Sequence, residues 1–453
     1  MEIYKKTKSA QLEKLARQVI PGGVMSNFKK DENYHPTYMK YGKGSRIYDV
    51  DGNEYIDYDL SYGPSFLGHS NEHLIQSIEK QARQLYCAPV NDLAVEAARK
   101  VCEHVPSAEM LRFACSGTEA NLFAIRVARG YTGRNMTVRF HGHYHGGGDS
   151  IVGGIVTDPE NPVVVPGERE DDFWTQMTNS AGGEKYAKGN CYMIDWNDLP
   201  ALEKLLTRYG HDIAAVIMEP VMTNWFGCVP EPGYLEGVRK LCTEYGVVLI
   251  FDEVLTGFRM GLGGAQGHFG VMPDMTTLAK CLGGGLPVSA FCGKREIMDV
   301  VTRTDVTCGG TYNGHPLAMA GVIATIEELE KNDGAVYRHV EKLGNMVKEG
   351  METIAKDHDQ ELLIQGFPAA WDFTFTPQKK IINNQVGEWA GILKAFSYST
   401  LLQQRGVIAV VRLFTSTAHT EKDVQDTLDR ADDAMKAYVK QEEEGKRTDY
   451  TLL

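Results

Sequence analysis

Two side chains of this sequence could do chemistry together: Asp252 and Lys280, twenty-eight residues apart. Asp252 and Glu253 close the apolar run VVLIF, which has the pattern of a strand buried on both faces. A carboxylate at the carboxyl end of a buried parallel strand points into a ligand crevice. Lys280 stands between the apolar stretch TTLA and the turn Gly283-Gly284-Gly285, with Pro287 beyond, where no long helix can form. Such a lysine amine can form a Schiff base with an aldehyde. A buried aspartate can keep a pyridine nitrogen protonated, so that the ring accepts electrons from a carbanion. Those are the two groups that pyridoxal phosphate chemistry requires. Taken singly, each has another reading. A strand ending in Asp-Glu also suits a metal ligand, a nucleotide-site carboxylate or a helix cap, and a lysine before glycines also suits a solvated loop.

The spacing around the pair is more specific than either residue. Asp252, Glu253, Val254, Thr256, Gly257, Phe258 and Arg259 are followed in register by Pro273, Asp274, Thr277, Lys280, Gly283, Gly284, Gly285 and Pro287. The block resembles the cofactor core of the class III (fold type I) aminotransferases, whose pattern is D-E-V-x-T-G-F-R and then P-D-x-x-T-x-x-K-x-x-G-G-G-x-P. The resemblance implies pyridoxal 5'-phosphate as cofactor, Lys280 as its carrier and proton-moving group, and Asp252 as the partner of the pyridine nitrogen.

Further motifs join that reading. Ser116-Gly117-Thr118 lies between a strand and a helix, where small residues and a helix N-terminus suit a phosphate, or an ordinary capped turn. The resemblance assigns these three to the phosphate cup. His141, His143 and His145 alternate in FHGHYHGG, as zinc ligands on one strand face could, but glycines follow rather than a further acidic or cysteine ligand, and no metal is expected. The family's equivalent stretch makes Tyr144 the residue stacked on the cofactor ring, with His145 beside it. It also places Glu219 close to the cofactor, Asn224 at the phenolic oxygen and Val254 on the ring face opposite Tyr144. By itself Glu219 also suits a structural ion pair. In the glycine loop 309–316, the resemblance makes Thr311 reach the phosphate of a neighbouring subunit, which implies a homodimer with shared active sites.

The likeness spans about residues 15–436 and is greatest to the glutamate-1-semialdehyde aminomutase branch, through Pro21-Gly22-Gly23-Val24, Pro232-Gly233-Tyr234-Leu235 and Ala418-His419-Thr420. The substrate-side positions depart from that branch. Lys29 stands for an arginine, Tyr62 for a tryptophan and Thr223 for a glycine, Trp225-Phe226 is bulky, and Arg412 is an added cation. Lys29, Tyr62, Trp225 and Arg412 are therefore the candidate substrate contacts. Arg412, in the apolar run RGVIAVVRLF, needs a partner, which could be a substrate carboxylate, a nearby Asp or Glu, or solvent. The departures favour an aminotransferase working by a ping-pong mechanism between an amino donor and a keto acceptor, with β-amino acids or bulky amines among the donors. The alternative is an isomerase, either an aminomutase or an amino-acid racemase, which needs no second substrate.

The elements that position these residues are legible in outline. Strands and helices alternate from about 80 to 330, which argues for an α/β domain with a mainly parallel sheet. The expected division is an N-terminal segment at 1–80 that joins the small domain, a large cofactor-binding domain at 81–330, a C-terminal part of an α+β small domain at 331–438 and a polar tail at 439–453. Helices are expected at 1–20, 92–105, 197–208, 232–245 and 317–356, with another capped near Ser70. A hairpin turns at Asp51-Gly52, and 151–185 reads as irregular. Lys plus Arg total 47 against 60 Asp plus Glu, a net charge of −13 that disfavours nucleic acid. No apolar run is long enough to span a membrane. The amino terminus lacks a signal-peptide core and the nine cysteines form no C-x-x-C pair, so the expected setting is the cytoplasm.

Overall fold

The computed structural model describes residues 3–26, 29, 37–152, 190–303, 305–384 and 389–445. Nearly all of the stretch read as irregular, 151–185, lies outside them. In chain order the elements are α1 (Thr7–Val19), β1 (Met39–Lys43), β2 (Arg46–Asp49), β3 (Glu54–Asp57), α2 (Glu72–Gln84), α3 (Asp92–His104), β4 (Met110–Ala114), α4 (Gly117–Thr132), β5 (Met136–Phe140) and β6 (Cys191–Ile194). There follow α5 (Leu199–Tyr209), β7 (Ile213–Met218), α6 (Tyr234–Glu244), β8 (Val248–Glu253), α7 (Gly264–Phe269), β9 (Met275–Leu278), β10 (Ser289–Gly293) and α8 (Arg295–Thr302). The chain closes with α9 (Pro316–Asp357), β11 (Leu362–Phe367), β12 (Ala370–Phe375), α10 (Trp389–Gln404), β13 (Val407–Ile408), β14 (Arg412–Leu413) and α11 (Glu421–Glu443).

Several boundaries differ from the sequence reading. The first helix starts at Thr7 rather than at the beginning of the sequence, where Asp51 accepts from the Lys8 and Ser9 amides of its first turn and residues 3–6 are not helical. The cap of α2 is Asn71, whose side chain accepts from the Leu74 amide, because Ser70 has a left-handed backbone (φ 51°) and turns its hydroxyl to the Gly42 carbonyl. The helix at 316–357 breaks at Lys331–Gly334, where Asn332, Asp333 and Gly334 have positive φ. The polar tail starts late, since α11 runs on through residues 439–443 before its cap at Glu444.

Among the described residues the large sheet has seven strands in the order β4-β10-β9-β8-β7-β5-β6, parallel from β6 to β9, with β10 antiparallel to both its neighbours. Strand side chains alternate between two faces, and both faces are covered. Val216 and Met218 of β7 and Leu249 and Phe251 of β8 pack with Leu202, Leu205, Leu235 and Val238 of α5 and α6. Ala215, Ile217, Val248 and Ile250 face Ala120, Ala124 and Val127 of α4. Each such fully buried Val, Leu, Ile or Phe contributes about 1.5–3 kcal/mol. The same alternation sends Asp252 to the α4 face and Glu253 to the other, where Thr256, Ala265 and Gln266 donate to it.

The smaller part is α+β and is joined from both chain ends. β13 pairs in parallel with β3, completing the sheet β1-β2-β3-β13, and β11-β12-β14 forms a second, antiparallel sheet. The broken helix α9 packs beside the β11–β12 turn at Gly344, where an added Cβ would stand 2.0 Å from the Pro368 carbonyl oxygen. Alanine normally gains about 1 kcal/mol over glycine inside a helix. Here Gly344→Ala is expected to destabilise by about 1–3 kcal/mol through overpacking, measured as a lower midpoint of urea unfolding. An unchanged or higher midpoint would show that the turn gives way.

Candidate active site

A cavity of about 370 Å³ opens at the carboxyl ends of the parallel strands, within the range of roughly 300–1,000 Å³ usual for small-molecule sites. Each strand end delivers a few residues to it: Ser116, Gly117 and Thr118 after β4, Tyr144 and His145 after β5, Glu219 and Asn224 after β7, Asp252 and Val254 at β8, and Lys280 after β9. Among the expected cofactor residues only Thr311 is not on its wall.

At one end lies the first turn of α4, whose leading amides have no intrahelical acceptor. Ser116 caps the helix, its Oγ accepting from the Glu119 amide at 3.2 Å. The Tyr144–Gly147 loop is pressed against this turn. The Gly147 amide donates to Thr118 Oγ1 at 3.2 Å, and a Cβ at Gly146 (φ 119°) would lie 2.3 Å from that oxygen. The cradle therefore requires a glycine there.

At the other end Asp252 is buried but satisfied. Its Oδ2 accepts from Asn121 Nδ2 and faces His145 Nδ1, both at 2.7 Å, and its Oδ1 accepts from the Val254 amide at 3.0 Å. Asn121 is itself fixed, because Thr277 Oγ1 donates to its Oδ1 and its amide also donates to the His145 carbonyl. The three histidines diverge rather than converge. His141 faces Asp195, His143 Nδ1 accepts from the Glu219 amide, and His145 serves Asp252. Burial, with the two neighbouring imidazoles, holds His143 well below its usual pKa. Glu219 is hydrogen-bonded rather than ion-paired, accepting from the Tyr144 amide, Asn224 Nδ2, and the Thr223 amide and hydroxyl.

Lys280 opens a short 3₁₀ turn with a left-handed backbone, φ 43°. For a non-glycine residue this costs on the order of 1–3 kcal/mol and is characteristic of functional sites. Burial first, and then the charge of Arg412, brings its pKa down to about 8, while Glu219 and Asp252 pull the other way.

The substrate-side candidates are less gathered, and none of the four is on the cavity wall. Arg412 takes one of the alternatives left open for it and pairs with Asp372 through Nε to Oδ1 and Nη2 to Oδ2. Trp225 is half-buried next to Asn224, and Lys29 is exposed. Tyr62 belongs to a left-handed turn, with φ of 48°, 59°, 67° and 100° at Leu60, Ser61, Tyr62 and Gly63. Left-handed backbone costs non-glycine residues about 1–2 kcal/mol each. Asp57 accepts from the Asp59 and Leu60 amides, Asp59 accepts from the Tyr62 amide, and Arg259 Nη2 donates to the Gly63 carbonyl. Arg259 is fully buried between the rings of Phe66 and Phe414, and burial lowers its pKa to about 10. Thr311 is exposed on the loop before α9.

With this geometry in view, residues 28–435 match the family model for class III aminotransferases. The chain belongs to that family. Among relatives of this class III chain, the glutamate-1-semialdehyde 2,1-aminomutase of Bacillus subtilis (strain 168) is 38% identical over 447 residues, 95% of this chain and 98% of that protein. An omega-transaminase from Sphaerobacter thermophilus superposes with a TM-score of 0.86 at 28% identity, covering 95% of this chain and 97% of the other. A glutamate-1-semialdehyde aminomutase from Pseudomonas aeruginosa PAO1, in complex with PMP, gives 0.83 at 25% identity, covering 95% and 94%. The fold is fold type I of the pyridoxal-phosphate-dependent transferases.

Asn121 and Thr277 were not singled out as site residues from the sequence. The available signal was a polar side chain on the inner face of α4, four residues after Gly117, among alanines and phenylalanine that are buried. Asn121→Ala removes a hydrogen bond to a charged group, worth about 1.5–3 kcal/mol. The expected result is weaker cofactor retention by that amount, read from the dissociation constant of pyridoxal phosphate, with Asn121→Asp no better. Wild-type affinity in Asn121→Ala would show that Asp252 is held by His145 and Val254 alone.

Proposed function

We propose that this chain relocates an amino group by an aminomutase-type isomerisation, exchanging amino group and carbonyl within one small substrate. The observation that carries this reading is the 38% identity, across nearly the full length of both chains, to a protein named glutamate-1-semialdehyde 2,1-aminomutase. The cofactor is pyridoxal 5'-phosphate, and the residues present fit it: a glycine-built cradle at a helix N-terminus, a buried carboxylate and a lysine of lowered pKa. When bound, this cofactor supplies an aldehyde that captures amines and a ring that takes up the electrons of a breaking C–H bond.

The rest of the chemistry belongs to the chain. The amides of Gly117 and Thr118, with Ser116, would hold the phosphate at the start of α4. Asp252, whose oxygens face Asn121 Nδ2, His145 Nδ1 and the Val254 amide, would hold a proton on the ring nitrogen. Tyr144 and Val254 would flank the ring, and Glu219, which accepts from Asn224 Nδ2, would orient that side chain toward the phenolic oxygen. Lys280 would carry the cofactor, and its free amine would move the proton at the substrate carbon. With its pKa near 8 rather than 10.5, a useful fraction of its amine is neutral around neutral pH.

A second reading, intermolecular transamination in a ping-pong order, is favoured by the substrate-side residues: Thr223 in place of a glycine, and the bulky Trp225 beside Asn224. One experiment separates the two. The holoenzyme is given glutamate-1-semialdehyde alone, and the product is analysed with and without 2-oxoglutarate or pyruvate. Turnover without an acceptor supports the isomerase, and an absolute need for an acceptor overturns it in favour of the transaminase. Borohydride should fix the cofactor on Lys280 in either case, and a label on another lysine would sink both readings.

We also read the chain as a homodimer. Val90 and Val95 are 86% and 71% exposed, on either side of Asn91 and Ala94, which meet Gly314 of the Thr311 loop. Asn91 Nδ2 donates to the Gly314 carbonyl, and the exposed Tyr86 and Tyr312 both approach His315. Such an apolar surface suits a second copy related by a twofold axis. Sedimentation should give a dimer, and Thr311→Ala should loosen cofactor binding in it. A fully active monomer would refute the shared site.

A further inference from the structure

Asp372 gathers two parts of the chain that border the active site. It lies on β12, is 5% exposed, and is the cross-strand neighbour of Arg412 on β14. Its Oδ1 receives Arg412 Nε, and its Oδ2 receives Arg412 Nη2 at 3.3 Å and the Gly227 amide at 3.0 Å. Gly227 ends the loop that begins with Thr223 and Asn224 on the cavity wall. That loop turns through two consecutive left-handed residues, Phe226 (φ 58°) and Gly227 (φ 57°), and a Cβ at Gly227 would stand 2.3 Å from the Gln365 carbonyl oxygen of β11. One carboxylate thus ties down both the loop and the guanidinium.

We propose that Asp372 is a specificity-determining positioning residue, which anchors the Asn224–Trp225 loop at Gly227 and sets how strongly the charge of Arg412 acts on Lys280 and on an anionic substrate.

The charges around the pair support this. Lys280 is faced by Arg412 of β14, Arg259 after β8, Glu219 after β7 and Asp252 of β8. Arg412 is faced in turn by Asp372, Glu219 and Asp59. Among the described residues, Asp372 is the carboxylate in direct ion-pair contact with Arg412. With Asp372 ionised, its charge offsets part of the Arg412 field, and what remains still opposes a protonated Lys280. Without that charge a whole positive charge stands at the edge of the site, which opposes a protonated nitrogen on Lys280 and attracts carboxylates.

The inference rests on Lys280 carrying the cofactor, so the borohydride label on Lys280 is established first in each protein; a label elsewhere overturns that reading and this proposal with it, whereas a label on Lys280 with unmoved titrations overturns this proposal alone. The visible cofactor band of the wild-type, Asp372→Asn and Arg412→Gln holoenzymes is then titrated with pH, with and without glutarate as a dicarboxylate probe. Asp372→Asn keeps an acceptor for the Gly227 amide but loses the charge. Its midpoint should fall by about half a pH unit or more, and glutarate should bind about fivefold more tightly. Arg412→Gln should move the midpoint up and weaken glutarate. A merely structural role would change the stability of the holoenzyme and leave both titrations in place. Wild-type midpoint and glutarate affinity in Asp372→Asn overturn the proposal. Should that variant fail to fold, an Arg412→Gln midpoint equal to wild type overturns it as well.

Discussion

The Asp252 carboxylate is the constraint on which the rest of this structure depends. A charge buried at the end of a central strand is tolerated only when its oxygens are filled by donors. Here the donors come from α4, from the loop after β5 and from the backbone just beyond β8. To bring them together, α4 must lie on the Asp252 face of the sheet, and the residues after β5 must reach back to β8 across β7. The alternation along β8 achieves the first requirement with the residues that build the core, since Val248 and Ile250 face α4 and Asp252 continues their row. Packing and chemistry therefore share one register, and a slip of a single residue would exchange Asp252 with Glu253.

The neighbouring lysine lives in a balanced field. Two guanidiniums and two carboxylates act on Lys280, and none of the four is itself loose. Arg259 is held by the Leu255 and Gly63 carbonyls, Arg412 by Asp372, Glu219 by four donors and Asp252 by three. Low local dielectric makes each of these charges felt at Lys280 far more strongly than in water. The left-handed turn at Leu60–Gly63 belongs to the same scheme, because its carbonyl gives the buried Arg259 one of its acceptors while Asp57 and Asp59 hold its amides.

How much of this was legible in the sequence follows from how local each signal is. Strand ends with a carboxylate, a glycine cradle before a helix and a lysine before a glycine turn are written within a few residues each, and the order of strands and helices across 80–330 follows from periodicity. The partners were not legible. Asn121 looks like any polar residue in an alanine-rich helix until Thr277 and Asp252 are placed against it. Asp372 lies forty residues from Arg412 and meets it through the register of β12 and β14. The run of positive φ at Leu60–Gly63 has almost no residue signature, since only its last member, Gly63, belongs to the type that favours that backbone. Helix boundaries moved for similar local reasons, as at Ser70, whose hydroxyl goes to Gly42 instead of capping.

The parallel pairing of β13 with β3 orders events in time as well as space. Val407 sits opposite Ile56, and Ile408 opposite Asp57, the residue that shapes the left-handed turn. During synthesis on a ribosome, the cavity residues from Pro64 to Val288 emerge long before residue 407 does. The helices and strands of the large sheet can therefore assemble while the amino-terminal hairpin still waits for its partner strand. Contacts of such long sequence separation form late and slowly. The cavity wall is in this sense older, within the life of each molecule, than the sheet β1-β2-β3-β13 that holds Asp57 beside the left-handed turn.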